Sequence, residues 1–262
     1  MIWTAIATPS DLKAPQPMVV RAQAIPARHY FPEHAHNWAQ LVYAIAGVLT
    51  VAVEGRSFAI SPDQAVWLPT GWPHRVGSLF GAEFRSLWIA DDAGVGLPTS
   101  ATIVAVRPFL KALIVEAAEI HAQEDRDGYA GRIAAMILDQ LRRALPVPGA
   151  LPWPRGGRLM PVCEALYANP ADARSPIEWG QSVGMSARTL ARRFETEVGM
   201  SLRSWRRRVR LFKAVELLGG GLDVTQTAME LGYGSLSAFI YAFRTDMGQS
   251  PQAYMRGNMQ DR

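Results

Sequence analysis

The stretch that decides the fold runs from Gly184 to Gly248. Its first phrase is GMSARTLARRFETEVG (Gly184 to Gly199) and its second is GYGSLSAFIYAFRTDMG (Gly232 to Gly248). Each opens on Gly, continues with Met or an aromatic, and carries one or two Ser. Each then runs as a short amphipathic segment, with Phe near its end, to a closing Gly. Aligning Gly184 with Gly232 places Met185 on Tyr233, Leu190 near Ala238 and Phe239, and Phe194 near Phe243. The chain therefore repeats one small helical unit.

Each unit reads as two helices joined by a sharp turn. Before Gly184 stand Trp179 and Val183 as apolar residues and Gly180 as a small one; before Gly232 stand Leu231 and Ala228. A small residue four positions before the turn lets the helices cross closely, and the turn Gly accepts a conformation that a Cβ would strain. Leu190 with Phe194, and Phe239 with Phe243, are i,i+4 pairs on one helix face. They predict the core side, which leaves Ala187, Arg188, Ala191 and Arg192 outward in the first unit. Leu236, Ser237, Ile240, Tyr241 and Arg244 face outward in the second. Either phrase alone is an ordinary helical hairpin; two of them, with the charge around them, point to DNA.

Between the phrases runs SLRSWRRRVRLFKAVELL, from Ser201 to Leu218. As a helix its 18 residues span roughly 27 Å at about 1.5 Å per residue. From Arg188 to Lys213 there are nine basic and two acidic residues (9 − 2 = +7), against +4 for the whole chain. Basic charge is thus gathered where the repeats lie, which is the footprint of phosphate contact. A rigid spacer of this length sets two helices about one DNA turn, roughly 34 Å, apart.

Residues from about 159 to 256 resemble the AraC/XylS-type DNA-binding domain. The resemblance is carried by GMSxRTLxRxF at 184–194, the linking helix, AxxLGYxSxSxFxxxF at 228–243 and GxSPxxY at 248–254. It implies an all-helical bipartite domain that puts two recognition helices into adjacent major-groove turns. Base contacts are implied at Arg188, Ala191 and Arg192, and at Leu236, Ser237 and Tyr241, with Arg244 beside them. Ala191 offers only an apolar contact, for example to a thymine methyl, whereas Arg188 and Arg192 can read guanine O6/N7 or hold phosphate. Arg206, Arg207, Arg208 and Arg210 read as phosphate or structural contacts rather than base readers.

At 262 residues the chain predicts two domains. There is no apolar run of membrane-spanning length. MIWTAIATPSDLKAPQP lacks a basic region followed by an apolar run, so no secretory signal is expected. The single cysteine, Cys163, excludes an internal disulfide framework, fits a reducing cytoplasm, and sits in an apolar helical pattern as a structural thiol. Within 19–106 the segments 39–45, 47–53, 57–60, 65–69, 74–79 and 84–90 are rich in β-branched and aromatic residues. Gly, Pro and Asp punctuate them, as in an antiparallel sandwich or barrel.

Three of the five histidines fall in two short motifs there. One is His34-x-His36-x3-Gln40-x6-Gly47 and the other is Pro69-x-Gly71-x-x-His74. Both are similar to the cupin motifs HxHx3–4Ex6G and PxGxxH. Alternation along a strand puts His34 and His36 on one face, and His74 reaches them from a neighbour. Three imidazoles and a fourth ligand suit a divalent transition metal, here Zn, Ni, Fe or Mn. Gln40 stands where metal-binding cupins carry Glu, and it is a poorer, neutral ligand. The set His34, His36, Gln40 and His74 therefore reads as a metal site, as an effector contact, or as hydrogen-bonded pocket lining. Trp38, Tyr43, Trp67, Trp72 and Trp88 supply aromatic surface; His29 and His121 lack motif context and read as surface residues.

Residues 107–145 turn to helical period, with Leu110, Leu113, Ile114, Ala117 and Ile120 on one stripe and Ile133, Ile137, Leu138 and Leu141 on another. After a cupin, such helices resemble the dimerising helices of AraC-type regulators, or they cover the barrel. PVPGALPWPRGG (146–157) reads as a semi-extended linker. The expectation is an α+β multidomain chain. Its N-terminal part (1–145) is an antiparallel β cupin, or jelly-roll, barrel at 19–106 followed by helices at 107–145. After the linker comes an all-α domain (158–262) with two helix-turn-helix units. The function expected is that of a cytoplasmic, homodimeric, non-enzymatic regulator of transcription. It binds double-stranded promoter DNA under control of a small molecule or metal, and the resemblance admits RNA polymerase as a further partner. Alternatives are a metal-dependent cupin enzyme joined to a DNA-binding domain, and a cupin that is only a dimerisation scaffold.

Overall fold

The computed structural model describes residues 3–8, 14–54, 56–120, 125, 127–146, 151–154, 156–219 and 221–259. Contacts divide the chain into two compact units: Met1–Gly55 with Ala59–Ala150, and Arg56–Phe58 with Leu151–Arg262. His121 and linker residues 147–150 and 155 lie outside the described residues.

The first unit holds β1 (Thr4–Ala5), β2 (Met18–Ile25), β3 (His29–His34), β4 (Ala39–Gly47), β5 (Leu49–Val53), β6 (Arg56–Ile60), β7 (Gln64–Leu68), β8 (His74–Ser78), β9 (Ala82–Ile89) and β10 (Thr102–Ala105). Two helices follow, α1 (Pro108–Glu119) and α2 (Tyr129–Arg143). One sheet runs β1-β3-β8-β5-β6 and the other β10-β7-β4-β9-β2. The pairs β3–β8, β5–β8, β4–β7, β4–β9, β2–β9 and β7–β10 are antiparallel, and short β1 joins β3 in parallel. Phe31 of β3 and Phe84 of β9 meet across the sheets with ring centroids 6.0 Å apart.

Strand β4 explains the layering. Ala39, Leu41 and Tyr43 join Met18, Leu87, Ile89 and Trp67 in one apolar cluster with Leu110, Leu113 and Ile114 of α1 and Ile133, Ile137 and Leu141 of α2. The helices therefore cover one face of the second sheet, so the stripe on 107–145 is spent on packing. Gln40, Val42 and Ala44 are buried too, and by alternation they face the other way, into the barrel. Strands β1, β2, β3 and β10 lie outside the six segments read from composition: β1 and β10 are only two and four residues long, and β2 and β3 carry polar residues without clean alternation.

The second unit continues with β11 (Leu151–Pro152), a 3-10 turn at Gly157–Leu159, α3 (Met160–Ala168), α4 (Pro176–Ser182), α5 (Ala187–Val198), α6 (Leu202–Gly219), α7 (Val224–Glu230), α8 (Leu236–Met247) and α9 (Pro251–Met259). Serines cap the repeats: Ser186 accepts from the Thr189 N–H at 3.1 Å, and Ser235 from the Ala238 N–H at 3.2 Å. At the turns Gly184 and Gly232 have φ of +67° and +69°. A Cβ on Gly180 would stand 2.6 Å from the Met185 carbonyl oxygen, so α4 and the turn to α5 touch backbone to backbone. Trp205 is fully buried at the first turn of α6, against Phe194 at 5.7 Å. Leu211, Val215 and Leu218 of α6 pack with Ala228, Phe239 and Phe243 to form the core of the second repeat. Among the described residues no helix is long and apolar enough to cross a membrane.

The stretch read as a linker differs from expectation in its second half. Leu151 and Trp153 are buried, the Trp153 N–H donates to the Ser57 carbonyl at 2.8 Å, and the Trp205 indole N–H donates to the Pro152 carbonyl at 2.6 Å. Trp153 also lies against Trp205 at 5.6 Å and Tyr167 at 5.7 Å. Proline and glycine dominate the composition, but the apolar area of Leu151 and Trp153 outweighs them once Trp205 and Tyr167 offer a surface. A C-terminal fragment starting at residue 158 is therefore expected to unfold at lower urea than one starting at 151. Trp153→Ala in the longer fragment is expected to cost about 3–5 kcal/mol in urea titration. In the same assay Gly180→Ala is expected to cost about 1–3 kcal/mol by overpacking.

Candidate functional site

Two places gather the residues that the sequence singles out, one in each unit. In the first, His34 ends β3 and His74 opens β8, and the antiparallel register sets them directly opposite each other. His36 lies beyond the end of β3, not on the strand as alternation suggested; its carbonyl accepts the Gly71 N–H at 2.9 Å. It reaches the same place from the turn before β4. Ring centroids are 4.5 Å apart for His34–His74, 4.8 Å for His34–His36 and 5.4 Å for His36–His74. One nitrogen from each lies within 4.8 Å of the others.

Backbone carbonyls set the tautomers. The Nδ1 of His34 is 2.6 Å from the Pro32 oxygen and that of His74 is 2.8 Å from the Trp72 oxygen. A carbonyl only accepts, so both Nδ1 atoms carry a proton, and in the neutral ring the lone pair is then on Nε2. The Nε2 of His74 is buried without a partner. Burial pulls the His74 pKa down to about 4, the Trp72 hydrogen bond opposing and His34 and His36 adding to the fall. Burial, then His34 and Arg21, pull His36 down to about 4 as well. Both are neutral at pH 7, the form in which imidazole ligates a metal. Metal–nitrogen bonds of about 2.0–2.1 Å would draw the three nitrogens closer than their present spacing by roughly 1 Å or more. The donor set therefore fits a divalent ion.

Around the histidines lies an aromatic and polar wall. Trp38 stacks on His36 at 5.3 Å and 8°, and Trp88 is 5.1 Å from Trp38 and 5.6 Å from His36. Gln40, 4% exposed, donates from Nε2 to the Ser86 hydroxyl at 2.7 Å, and its Oε1 has no partner. The indole nitrogens of Trp38 and Trp88 are buried and also lack partners. Register pairs Arg21 with Ser86 and Gln40 with Trp88, so these side chains share the inward face. Arg21 and Ser86 escaped the sequence reading, since no motif contains them and their face depends on register. The one available signal was an Arg in the middle of MVVRAQAI. His29 stands apart from the cluster, its Nδ1 2.8 Å from the Ala27 oxygen.

In the second unit α5 and α8 each bury one side. Leu190, Phe194 and Val198 point inward from α5, and Phe239 and Phe243 from α8. Arg188, Ala191 and Arg192 are exposed on α5; Leu236, Ser237, Tyr241 and Arg244 are exposed on α8. Tyr241 is 74% exposed, unusual for an aromatic. Ile240, expected outward, is half-buried against the core of its repeat. Among the described residues the guanidinium groups of Arg188, Arg192 and Arg244 have no hydrogen-bond or ion-pair partner.

The α6 arginines behave differently from one another. Arg206 donates to the Arg174 carbonyl at 3.0 Å and to that of Asp172, Arg207 pairs with Asp246 at 2.8 Å, and Arg210 donates to the Pro170 carbonyl at 3.1 Å. These three brace the helical unit. Together with Arg203, Pro176, Tyr233 and Tyr241 they line a cleft of about 600 Å³.

Long-range ¹H–¹⁵N NMR of the metal-free protein at pH 7 is expected to show His34 and His74 as the Nδ1–H tautomer. An Nε2–H signal from either ring would contradict the carbonyl assignment.

Residues 179–257 match a family described as a helix-turn-helix domain, and residues 16–95 match one described as an AraC-like ligand binding domain. The HTH-type transcriptional regulator NimR of Escherichia coli (strain K12) is 30% identical over 224 residues, 86% of this chain and 82% of that protein. The HTH-type transcriptional regulator RipA of Corynebacterium glutamicum is 34% identical over 127 residues, 48% of this chain and 36% of its own. The crystal structure of ToxT from Vibrio cholerae O395 aligns with 93% of this chain and 98% of its own, at 11% identity and a TM-score of 0.39. With a helix-turn-helix domain behind a ligand-binding domain, and a relative matched over most of both chains, this protein belongs to the AraC-type family of transcriptional regulators.

Proposed function

We propose that this regulator reads a two-part DNA site with α5 and α8, and that a divalent metal with an effector in the barrel changes how it does so. The observation that carries the DNA reading is the division of labour among the arginines. Arg206, Arg207 and Arg210 are engaged within the protein, whereas Arg188, Arg192 and Arg244 are exposed and unengaged on the two helices. Arg188, Ala191 and Arg192 meet bases in one groove, and Leu236, Ser237 and Tyr241 in the next, with Arg244 at the edge of the second. Helix α6 spans roughly 27 Å between them.

For the barrel, the supporting observation is the buried, unpartnered Nε2 of His74 beside two further imidazoles. His34, His36 and His74 would hold the ion, and three nitrogen donors favour Zn, Ni or Fe over Mn. An ion held there would supply Lewis acidity toward a donor atom of the effector. Unpartnered polar atoms on Trp38, Gln40 and Trp88 count against a barrel that is only a dry scaffold. The matched relatives are transcriptional regulators, which supports sensing over catalysis at this site. We place the dimer contact on α1 and α2, where Phe109, Tyr129 and Met136 remain exposed beyond the face packed on the barrel. The protein works in the cytoplasm, where Cys163 stays a buried thiol, and RNA polymerase is its partner at the promoter.

Arg192→Ala is expected to weaken specific DNA binding by about 1–3 kcal/mol in a fluorescence-anisotropy titration. Equal loss on specific and random DNA would make Arg192 a phosphate contact instead. Elemental analysis of protein purified without a metal-affinity tag is expected to find about one transition metal per chain, lost in His34→Ala. A metal-free wild type would refute the metal reading and leave the DNA reading intact.

A further inference from the structure

The charge balance of the barrel is incomplete. Three imidazole ligands around a divalent ion would leave its charge uncancelled, because Gln40 stands where an acid would neutralise one unit and, among the described residues, the cluster includes no carboxylate. Arg21 adds another positive charge on the same face. Its guanidinium carbon lies 4.9 Å from the centroid of the Trp88 ring, which is itself 5.6 Å from His36. Among the described residues the Arg21 guanidinium has no hydrogen-bond or ion-pair partner. A half-buried guanidinium beside three imidazoles, with no anion paired to it among the described residues, offers a contact to an anion from outside.

The neighbouring atoms say what kind of anion. Trp88 is 4% exposed and its indole N–H is buried without an acceptor; the Trp38 N–H is in the same condition. Both are donors set in apolar rings, suited to an oxygen carried on a carbon skeleton rather than to a fully hydrated inorganic ion. Gln40 Oε1, also unpartnered, offers one acceptor to a hydroxyl or amino group on that skeleton. We infer that the barrel seats a small organic carboxylate between Arg21 and the His34–His36–His74 centre, with Trp38 and Trp88 as its wall. This rests on the metal-sensor reading for one end of the ligand, while Arg21 and the indoles provide the other.

The test is a titration of the full-length chain with benzoate and with butanoate, followed by tryptophan fluorescence. It is run on chelator-treated protein and on Co²⁺-loaded protein, where the visible Co²⁺ spectrum gives a second readout. Benzamide and inorganic phosphate are the controls. At least one carboxylate is expected to saturate, with benzamide and phosphate at least about tenfold weaker. Arg21→Met is expected to weaken the carboxylate by about tenfold or more, while Arg21→Lys retains most of the binding. Thermal melts of the variants check that they are folded. Equal affinity in Arg21→Met, equal binding of benzamide, binding of phosphate alone, or no saturation by either carboxylate would each overturn the inference. Carboxylate binding without any Co²⁺ spectrum would sink the metal reading and uphold the Arg21 site. A Co²⁺ spectrum with no carboxylate response would do the reverse.

Discussion

Strand β4 is covered on both faces, and that leaves its residues no freedom of role. Leu41 and Tyr43 are held by the apolar cluster of α1 and α2, so Gln40 and Val42 must look into the barrel. A slip of one residue would drive Gln40 under the helices and Leu41 into the polar site, which the apolar area at stake forbids. The pairings of β4 with β9, and of β9 with β2, then carry the same parity across the sheet. Trp88, Ser86 and Arg21 are placed by that chain of registers and by nothing local.

From the opposite sheet the histidines arrive by different routes, and each route is a backbone feature. His34 and His74 face each other because β3 and β8 are antiparallel, and the carbonyls of Pro32 and Trp72 hold their rings. His36 comes from a turn and is steadied by stacking on Trp38. The site is preorganised yet unsatisfied: the His34 and His74 rings are held with a proton on the far nitrogen, and buried polar atoms lack partners. That combination is costly for a core and useful for a receptor.

The helical unit solves a different problem with short-range means. Close approach at Gly180, turns at Gly184 and Gly232, and serine caps at Ser186 and Ser235 define two similar hairpins. Trp205 and the three engaged arginines of α6 then brace them. Because Asp172, Pro170, Arg174 and Asp246 occupy those arginines, the positive charge counted along the sequence overstates what is offered to DNA. Exposed Arg188 and Arg192 on α5 and Arg244 on α8 are not tied up in this way, and neither is exposed Arg203 on α6.

Much of this was legible in the sequence, and the reason is distance along the chain. The repeats, their caps and turns, the spacer helix, the covering helices and the two histidine motifs all depend on spacings of a few residues. Period 3.6, period 2 and glycine at a turn are local rules, so the amino-acid order alone determined the helix-turn-helix pair and the β barrel. What the tertiary structure decided lies between residues far apart in sequence. Arg21 meets Trp88 through a strand register, and His36 enters the cluster from a turn rather than a strand. Trp153 folds back onto Trp205 although its surroundings read as linker, and Arg206, Arg207 and Arg210 are claimed by distant backbone and carboxylate groups. Such contacts are fixed by register and by the competition of whole surfaces for burial, and neither leaves a trace in a short window of sequence.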